Sequence, residues 1–224
     1  MQGALEDALA RLCGGPVTTV CAGRTDTGVH ATAQVVHADV PPGARLLADP
    51  DRARRALDRL CGPRVAVRRV RAVGPTFDAR FSATRRRYAY RLCDAEAMNP
   101  LWRHDTWHVG PPRLDTAAMQ AGARHLLGEH DFSSFCRARD AGHLLRRVDV
   151  VRARRVSAAL VVLRVEGPAF CHQMVRSVTA CLVAVGRGRR GEAWVAEVLA
   201  ARDRGVVGQI APPHGLTLVG VDYR

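Results

Sequence analysis

Apolar positions follow a helical spacing at the start of the chain and strand-like runs shortly afterwards, so the sequence predicts a mixed fold. Leucines three and four residues apart predict a helix over residues 2–13, closed by a Gly-Gly-Pro turn. β-branched and apolar runs predict strands over 17–21 and 33–38. A second amphipathic helix is expected over 50–61, followed by a strand with a basic outer face over 65–70. This order predicts a compact α/β unit.

The rest of the chain predicts a second unit of the same kind, built from more and longer elements. The expected elements are a strand over 85–92, a helix over 116–127, strands over 145–156 and 158–166, helices over 170–185 and 192–201, and a last strand over 216–221. Together they predict the α+β class. We expect an N-terminal α/β subdomain over residues 1–78 and a C-terminal α/β subdomain over residues 79–224.

The charge balance adds a partner to this picture. The chain of 224 residues carries 34 basic against 21 acidic residues, a formal net charge of +13. Every basic residue is arginine, and coding bias explains the choice of arginine over lysine but not the positive excess. A polyanion is therefore the expected partner, with nucleic acid the default. The absence of lysine also excludes Schiff-base lysines and lysine-containing phosphate loops.

Cysteine spacing and apolar run lengths exclude further classes. The seven cysteines contain no Cys-x-x-Cys pair and have apolar surroundings, which predicts buried, reduced thiols and no metal site. The longest apolar segment, 178–185, is far too short to span a bilayer, and the N-terminus lacks a secretory pattern. We therefore expect a cytoplasmic protein without a membrane segment.

One polar loop carries the candidate chemistry. It reads CAGRTDTGVH over residues 21–30 and places Asp26 among threonines and glycines between two predicted strands. A solvated turn would explain these residue types without any catalysis. The D-T-G triplet also occurs in aspartic proteases, but the adjacent Arg24 opposes the shared proton of a dyad, and the chain has no second triplet. Alternatively, Asp26 is a nucleophile kept ionised by an arginine, either Arg24 or the distant Arg176.

Ordered sequence blocks carry a family resemblance. The loop over residues 22–31 resembles the signature of the TruA family of tRNA pseudouridine synthases. The resemblance continues, in chain order, through residues 34–37, 77–83, 86–90, 127–132, 170–176 and 215–223. Because these blocks span nearly the whole chain, the match is specific.

The resemblance implies a fold, an activity and an assembly. Members have two ferredoxin-like (RRM-like) α/β subdomains that form an extended antiparallel sheet with a central basic cleft and helices on one side. They isomerise uridines at positions 38–40 of the anticodon stem-loop of tRNA to pseudouridine. They act as homodimers without a cofactor or a metal. A catalytically impaired RNA-binding protein of the same fold is the alternative from another class.

Motif positions carry the family's roles onto residues of this chain. Asp26 is expected to be the nucleophile, Arg176 its ion-pair partner, and Tyr88 the residue that stacks on or deprotonates the target base. Leu218 is expected to form part of the pocket wall. The residues expected to contact the RNA or the target nucleotide are Arg24, Thr25, His30, Phe77, Arg80, Phe81, Tyr88, His172 and Leu218.

Two departures from the family pattern affect these expectations. Members usually carry a strand with a Tyr-Asp-Gly segment before the first helix, whereas this chain starts inside that helix. The first subdomain is therefore expected to lack its first strand and to expose a sheet edge. Residues 140–145 stand where members tend to have an Arg-Thr pair that touches RNA, so a weaker contact is expected there.

Overall fold

The structure is a computed structural model that describes residues 1–137 and 144–224. Its α-helices are α1 (Gln2–Cys13), α2 (Arg45–Ala48), α3 (Pro50–Cys61), α4 (Thr116–Arg124), α5 (Met174–Gly186) and α6 (Trp194–Ala201). Its strands are β1 (Thr19–Cys21), β2 (His30–Ala31), β3 (Val36–Ala38), β4 (Ala83–Cys93), β5 (Trp107–His108), β6 (Gly128–Asp131), β7 (Leu145–Val148), β8 (Val150–Arg155), β9 (Leu160–Gly167) and β10 (Leu216–Tyr223). The expected α+β class is confirmed.

The chain forms two compact units that do not follow simple chain order. The first unit contains Met1–Gly23 and Val35–Ser82, and the second contains Arg24–Gln34 and Ala83–Arg224. The loop that carries Asp26 therefore belongs to the second unit, although the segments on both sides of it in the sequence belong to the first.

Helix ends in the first unit follow from local sequence. α1 ends at Gly14, whose φ of 75° suits glycine and whose N–H donates to the carbonyl of Ala10. α3 begins after Asp49, whose side chain accepts from the Arg52 amide, with Pro50 in the first turn. Both helices contribute to a small apolar core, against which Ala38 of β3 packs, and β3 pairs with β1 in antiparallel orientation. The predicted boundaries of both helices are confirmed.

The predicted strand over residues 65–70 is wrong, because this segment has no strand conformation. Val65 and Val67 still pack against the apolar core of the first unit. The amide of Val67, however, donates to the Asp58 carboxylate at 2.8 Å instead of to a neighbouring strand. A side chain on α3 thus takes the place of a ladder partner, and the alternating pattern reflects packing alone.

A six-stranded sheet forms the centre of the second unit. Its strands follow the order β2-β10-β4-β9-β8, and β5 pairs with β4. All pairs are antiparallel except β2 with β10 and β5 with β4. Alternate residues of β4, including Tyr88, Tyr90 and Leu92, point into the main apolar core. α4 and α5 supply much of the opposing surface of that core.

α5 begins later than the apolar pattern predicts. The sequence favours a helix from residue 170, whereas the observed helix starts at Met174. Gln173 has a φ of 67°, and this left-handed conformation interrupts helical geometry just before the first turn. α5 is buried along nearly its whole length, including the charged side chain of Arg176.

Other expectations meet mixed outcomes. The described strands form three separate sheets, with β1–β3 and β6–β7 as two-stranded pairs, so one extended sheet is not seen among them.

Cys136 and Cys171 form a disulfide with Cα atoms 5.7 Å apart, which corrects the expectation of reduced thiols for this pair. Burial raises the pKa of the free Cys181 thiol to about 12. No helix in the described ranges combines the length and apolar character that crossing a bilayer requires.

Candidate active site

A tight turn presents Asp26. The amide of Val29 donates to the carbonyl of Asp26 at 3.0 Å, which closes a four-residue turn. Gly28, the third residue of that turn, has a φ of 85°, which glycine adopts without strain. A Cβ at Gly28 would also lie 3.0 Å from Cγ of Pro213, so the position needs a residue without a side chain.

Arg176 binds the carboxylate of Asp26. Its Nη1 donates to Oδ2 of Asp26 at 2.7 Å, and its Nε donates to the carbonyl of Ala211 at 2.7 Å. Arg176 is only 9% exposed, so this charge-assisted hydrogen bond is shielded from water. Between the two candidate partners, Arg176 makes the contact, whereas Arg24 on the loop is exposed.

His172 approaches the other oxygen of the same carboxylate. Its Nε2 lies 3.1 Å from Oδ1 of Asp26. The second ring nitrogen, Nδ1, is buried and has no hydrogen-bond partner within the described ranges. Asp26 is thus contacted on one oxygen by a guanidinium and on the other by an imidazole, and it is partly shielded from solvent.

Tyr88 and Leu218 face each other across the pair of β4 and β10. Tyr88 is 8% exposed, and its ring meets Phe170 edge to face with centroids 5.3 Å apart. Leu218 is fully buried, and its carbonyl accepts from the amide of Thr32 at 2.9 Å. The strand that carries Leu218 therefore also holds the chain where it leaves the Asp26 loop.

Further expected RNA contacts lie on or next to the Asp26 loop. Arg24 is exposed and Thr25 is half-buried. His30 is exposed as well, but its Nε2 lies 2.6 Å from the carbonyl of His104. This contact fixes the His30 ring at the start of β2, so one of its two nitrogens is already engaged by the protein itself.

Phe77, Arg80 and Phe81 belong to the first unit and are described there on their own. Phe81 is 80% exposed, with the Arg80 guanidinium 5.5 Å from its ring centroid. Asp78 organises this segment, because its carboxylate accepts from the amides of Phe81 and Arg80. These hydrogen bonds, that from Phe81 foremost, lower the pKa of Asp78. Phe77 packs edge to face against His37.

Sequence reasoning missed the contribution of the segment over residues 211–213. The phenol of the fully buried Tyr90 donates to the carbonyl of Pro212 at 2.6 Å. Burial raises the pKa of Tyr90, and the nearby Arg176 opposes that shift. The Ala-Pro-Pro run was a local signal of carbonyl acceptors, since proline has a carbonyl but no amide N–H. The donors to these carbonyls, Tyr90 and Arg176, are remote in sequence.

Positive charge is concentrated around this site. Burial lowers the pKa of Arg204, and the positive charges of Arg137 and Arg176 lower it further. Arg204 donates to the side-chain oxygen of Gln173 at 2.5 Å. Such mutual repulsion among guanidinium groups favours an anion as ligand. The described residues contain no cluster of three or more His, Cys, Asp or Glu side chains arranged to hold a metal ion.

Comparison with known proteins decides the family. A family model described as tRNA pseudouridine synthase matches residues 123–224. The chain is 45% identical over 233 residues to tRNA pseudouridine synthase A of Frankia casuarinae, covering all of this chain and 80% of the relative. It is 42% identical to the enzymes of the same name from Mesorhizobium japonicum and Bradyrhizobium sp., covering 89% of each. The chain belongs to the tRNA pseudouridine synthase family.

Membership of the tRNA pseudouridine synthase family makes the chain an isomerase. The site geometry suits such chemistry. The contacts of Arg176 and His172 hold the carboxylate of Asp26 in place, and a carboxylate is able to act as a nucleophile or to stabilise an electron-poor carbon. Residues 140–143, where a weaker RNA contact was expected, lie outside the described residues.

Proposed function

We propose that the chain converts uridines at positions 38–40 of the tRNA anticodon stem-loop to pseudouridine, with Asp26 as the nucleophile. The observation that carries this proposal is the 2.7 Å contact between Asp26 and the buried Arg176. The names of the relatives support tRNA as the substrate. Their similarity over the whole chain supports the same chemistry at the same motif positions.

The reaction is an isomerisation, so the substrate gains and loses no atoms overall. The bond between C1′ of the ribose and N1 of uracil breaks, the uracil turns, and C1′ bonds to C5. The proton on C5 leaves, and N1 gains a proton, so the atoms balance. Asp26, ionised beside Arg176, attacks the substrate and holds the intermediate while the detached base turns. A shielded site keeps water out and prevents the uracil from escaping.

Tyr88 is proposed to act on the target base. Its position on β4 opposite Leu218 places a phenol beside an apolar wall. In this proposal the ring stacks on the uracil, and the phenol oxygen removes the C5 proton of the new glycoside. Leu218 closes the pocket next to it.

Base flipping is proposed because the reacting carbon of a stacked nucleotide is inaccessible inside a stem. Arg24, Thr25 and His30 hold the RNA around the flipped uridine in this proposal. Phe81 offers an exposed ring on which a base stacks, and Arg80 beside it neutralises a phosphate.

The proposal includes an assembly and a compartment. We propose that the chain acts as a cytoplasmic homodimer and that each compact unit is ferredoxin-like. Light scattering at micromolar concentration tests the dimer directly, since a mass of one chain, 24.3 kDa, would contradict it.

Tritium release separates an active enzyme from an RNA-binding protein of the same fold. An in vitro transcribed tRNA labelled with tritium at C5 of its uridines is incubated with the protein, and tritium in the solvent is counted. We expect release from transcripts with a uridine at position 38, 39 or 40 and none when all three are cytidine. Tight tRNA binding without release would favour the catalytically impaired alternative. A pepstatin-like inhibitor should leave the release unchanged, in contrast to the aspartic-protease interpretation.

A further inference from the structure

The carboxylate of Asp26 has two oxygens, and Arg176 donates a hydrogen bond to only one of them, Oδ2. We infer that His172 is a positioning residue that holds Oδ1 of Asp26 while Arg176 holds Oδ2. Two donors on opposite oxygens fix the plane of the carboxylate. This inference rests on the proposed role of Asp26 as nucleophile, and it reassigns His172 from the RNA contact that the sequence predicts.

The backbone around His172 explains why its ring lies next to Arg176. The left-handed conformation of Gln173, with a φ of 67°, turns the chain sharply just before α5. Such conformations are uncommon for residues other than glycine and persist where surrounding contacts hold them, often at functional sites. Here Arg204 supplies such a contact, because it donates to the side-chain oxygen of Gln173.

The main chain of His172 is also held from the other direction. Its carbonyl accepts from the amide of Arg137 at 2.9 Å. The preceding residue, Cys171, is joined to Cys136 by the disulfide. The imidazole therefore stands on a backbone that is fixed on both sides, which is what a group must have if it is to fix another side chain.

The proton arrangement on the ring follows from its partner. An ionised carboxylate only accepts hydrogen bonds, so Nε2 of His172 carries the proton that faces Asp26. Nδ1 is buried and has no partner among residues 1–137 and 144–224. A buried Nδ1 does not reach a substrate atom, so His172 is not the base that removes the C5 proton. The remaining role is to orient the nucleophile.

Removing the His172 side chain should lower the catalytic rate rather than the affinity for tRNA. Without His172, Oδ1 of Asp26 keeps its negative charge but is free to rotate away from the attacking direction or to bind water. Misplacement of a reacting atom slows the chemical step while the contacts that bind tRNA remain. A residue that only contacted RNA would show the opposite behaviour.

The experiment compares two substitutions at one position. His172→Phe keeps the ring but removes the donor, whereas His172→Gln keeps an N–H near the position of Nε2. His108→Phe is the control, since Nε2 of the exposed His108 likewise lies against an oxygen, the carbonyl of Ala95, and His108 is not part of the site. Single-turnover rates of pseudouridine formation, tRNA dissociation constants and melting temperatures are measured for all four proteins.

We expect His172→Phe to lower the single-turnover rate at least about 10-fold, equivalent to about 1.4 kcal/mol, with tRNA affinity within about 3-fold of the wild type. His172→Gln should recover to within about 3-fold of the wild-type rate, and His108→Phe should match it. If His172→Phe does not fold, His172→Met serves as the variant without a donor.

Three results would overturn the inference alone: an unchanged rate in the donorless variant, a loss confined to tRNA affinity, or no recovery with glutamine. A wild-type protein that forms no pseudouridine would instead overturn the proposed function, which the same assay shows first. The two failures are therefore distinguishable.

Discussion

The carboxylate of Asp26 and the guanidinium of Arg176 meet at 2.7 Å although 150 positions separate them in the sequence. A second nitrogen of the same guanidinium binds the carbonyl of Ala211. One arginine thus ties the Asp26 loop, α5 and the segment before β10 together. The rigid fork of arginine makes both contacts at once, which a single ammonium group does not reproduce.

Replacing Arg176 with lysine should therefore impair the enzyme despite the retained charge. Loss of one hydrogen bond to a charged group corresponds to about 1.5–3 kcal/mol, or roughly 10- to 100-fold in rate. We expect the turnover number of Arg176→Lys to fall by that factor and its melting temperature to drop. Arg152→Lys, on the exposed face of β8, is the control and should behave as the wild type. Full activity of Arg176→Lys would argue against the dual role.

Tyr88 and Tyr90 lie two residues apart on the same strand and should respond differently to loss of the hydroxyl. Tyr90→Phe leaves the carbonyl of Pro212 without its donor, so the free energy of unfolding should fall by about 1–3 kcal/mol. Tyr88→Phe should lower turnover, because the phenol is proposed as the base. Urea denaturation measures the stability of Tyr90→Phe, and tritium release measures the turnover of Tyr88→Phe. Normal turnover in Tyr88→Phe would contradict the assignment of its phenol as the base.

A buried ion pair predicts how stability depends on pH. Asp94, whose side chain is 1% exposed, binds Arg155 through both oxygens and also accepts from the Leu114 amide. Burial alone would raise the pKa of Asp94, but these hydrogen bonds lower it below its ordinary value. A lowered folded-state pKa gives stability that is present above the unfolded pKa of about 3.9 and is lost as the pH falls through the folded value.

The Asp94→Asn variant tests whether the contribution of Asp94 to stability is lost as the pH falls. At neutral pH its free energy of unfolding should be lower than that of the wild type by roughly 1.5–3 kcal/mol. The difference should shrink as the pH falls below about 4, because the carboxyl of Asp94 then gains a proton in the unfolded state while it keeps its charge in the folded state. Urea titrations at several pH values measure it. A difference that stays constant down to pH 3 would show that the charge of Asp94 is not what stabilises the fold.

The excess of arginine predicts a strong salt dependence of tRNA binding. With a net charge of +13, the protein should release several counterions, and its affinity should fall at least about 100-fold between 50 and 200 mM salt. In a plot of the logarithm of the binding constant against the logarithm of the salt concentration, Arg24→Gln should reduce the slope by about 1, the value for one phosphate contact. Arg152→Gln should leave the slope unchanged. Filter binding across salt concentrations gives both slopes, and a flat profile would exclude phosphate contacts as the main source of affinity.

Local signals predicted the parts of the fold that local chemistry determines. The limits of α1 and α3 follow from a left-handed glycine and from an Asp-Pro start, which act within a few residues. The strand predicted over residues 65–70 was wrong because the amide of Val67 donates to Asp58, which lies on a helix rather than on a strand. A pattern of apolar positions reports which side is buried but not which group accepts the hydrogen bond.

The candidate site divides in the same way. Asp26 was recognisable from its loop, and the family resemblance supplied Arg176, Tyr88 and Leu218. The contact of His172 with Asp26 and that of Tyr90 with Pro212 were not predictable, because each joins segments more than a hundred residues apart. These contacts depend on how the strands and α5 pack in three dimensions.

The carboxylate of Asp26 is the group on which the account depends most. Asp26→Asn keeps the size of the side chain and removes its charge, so the variant should still bind tRNA within about 3-fold of the wild type. The decisive measurement is the single-turnover rate of pseudouridine formation at saturating tRNA. We expect a rate at least about 1,000-fold below that of the wild type. A folded Asp26→Asn protein that forms pseudouridine at the wild-type rate would contradict the account.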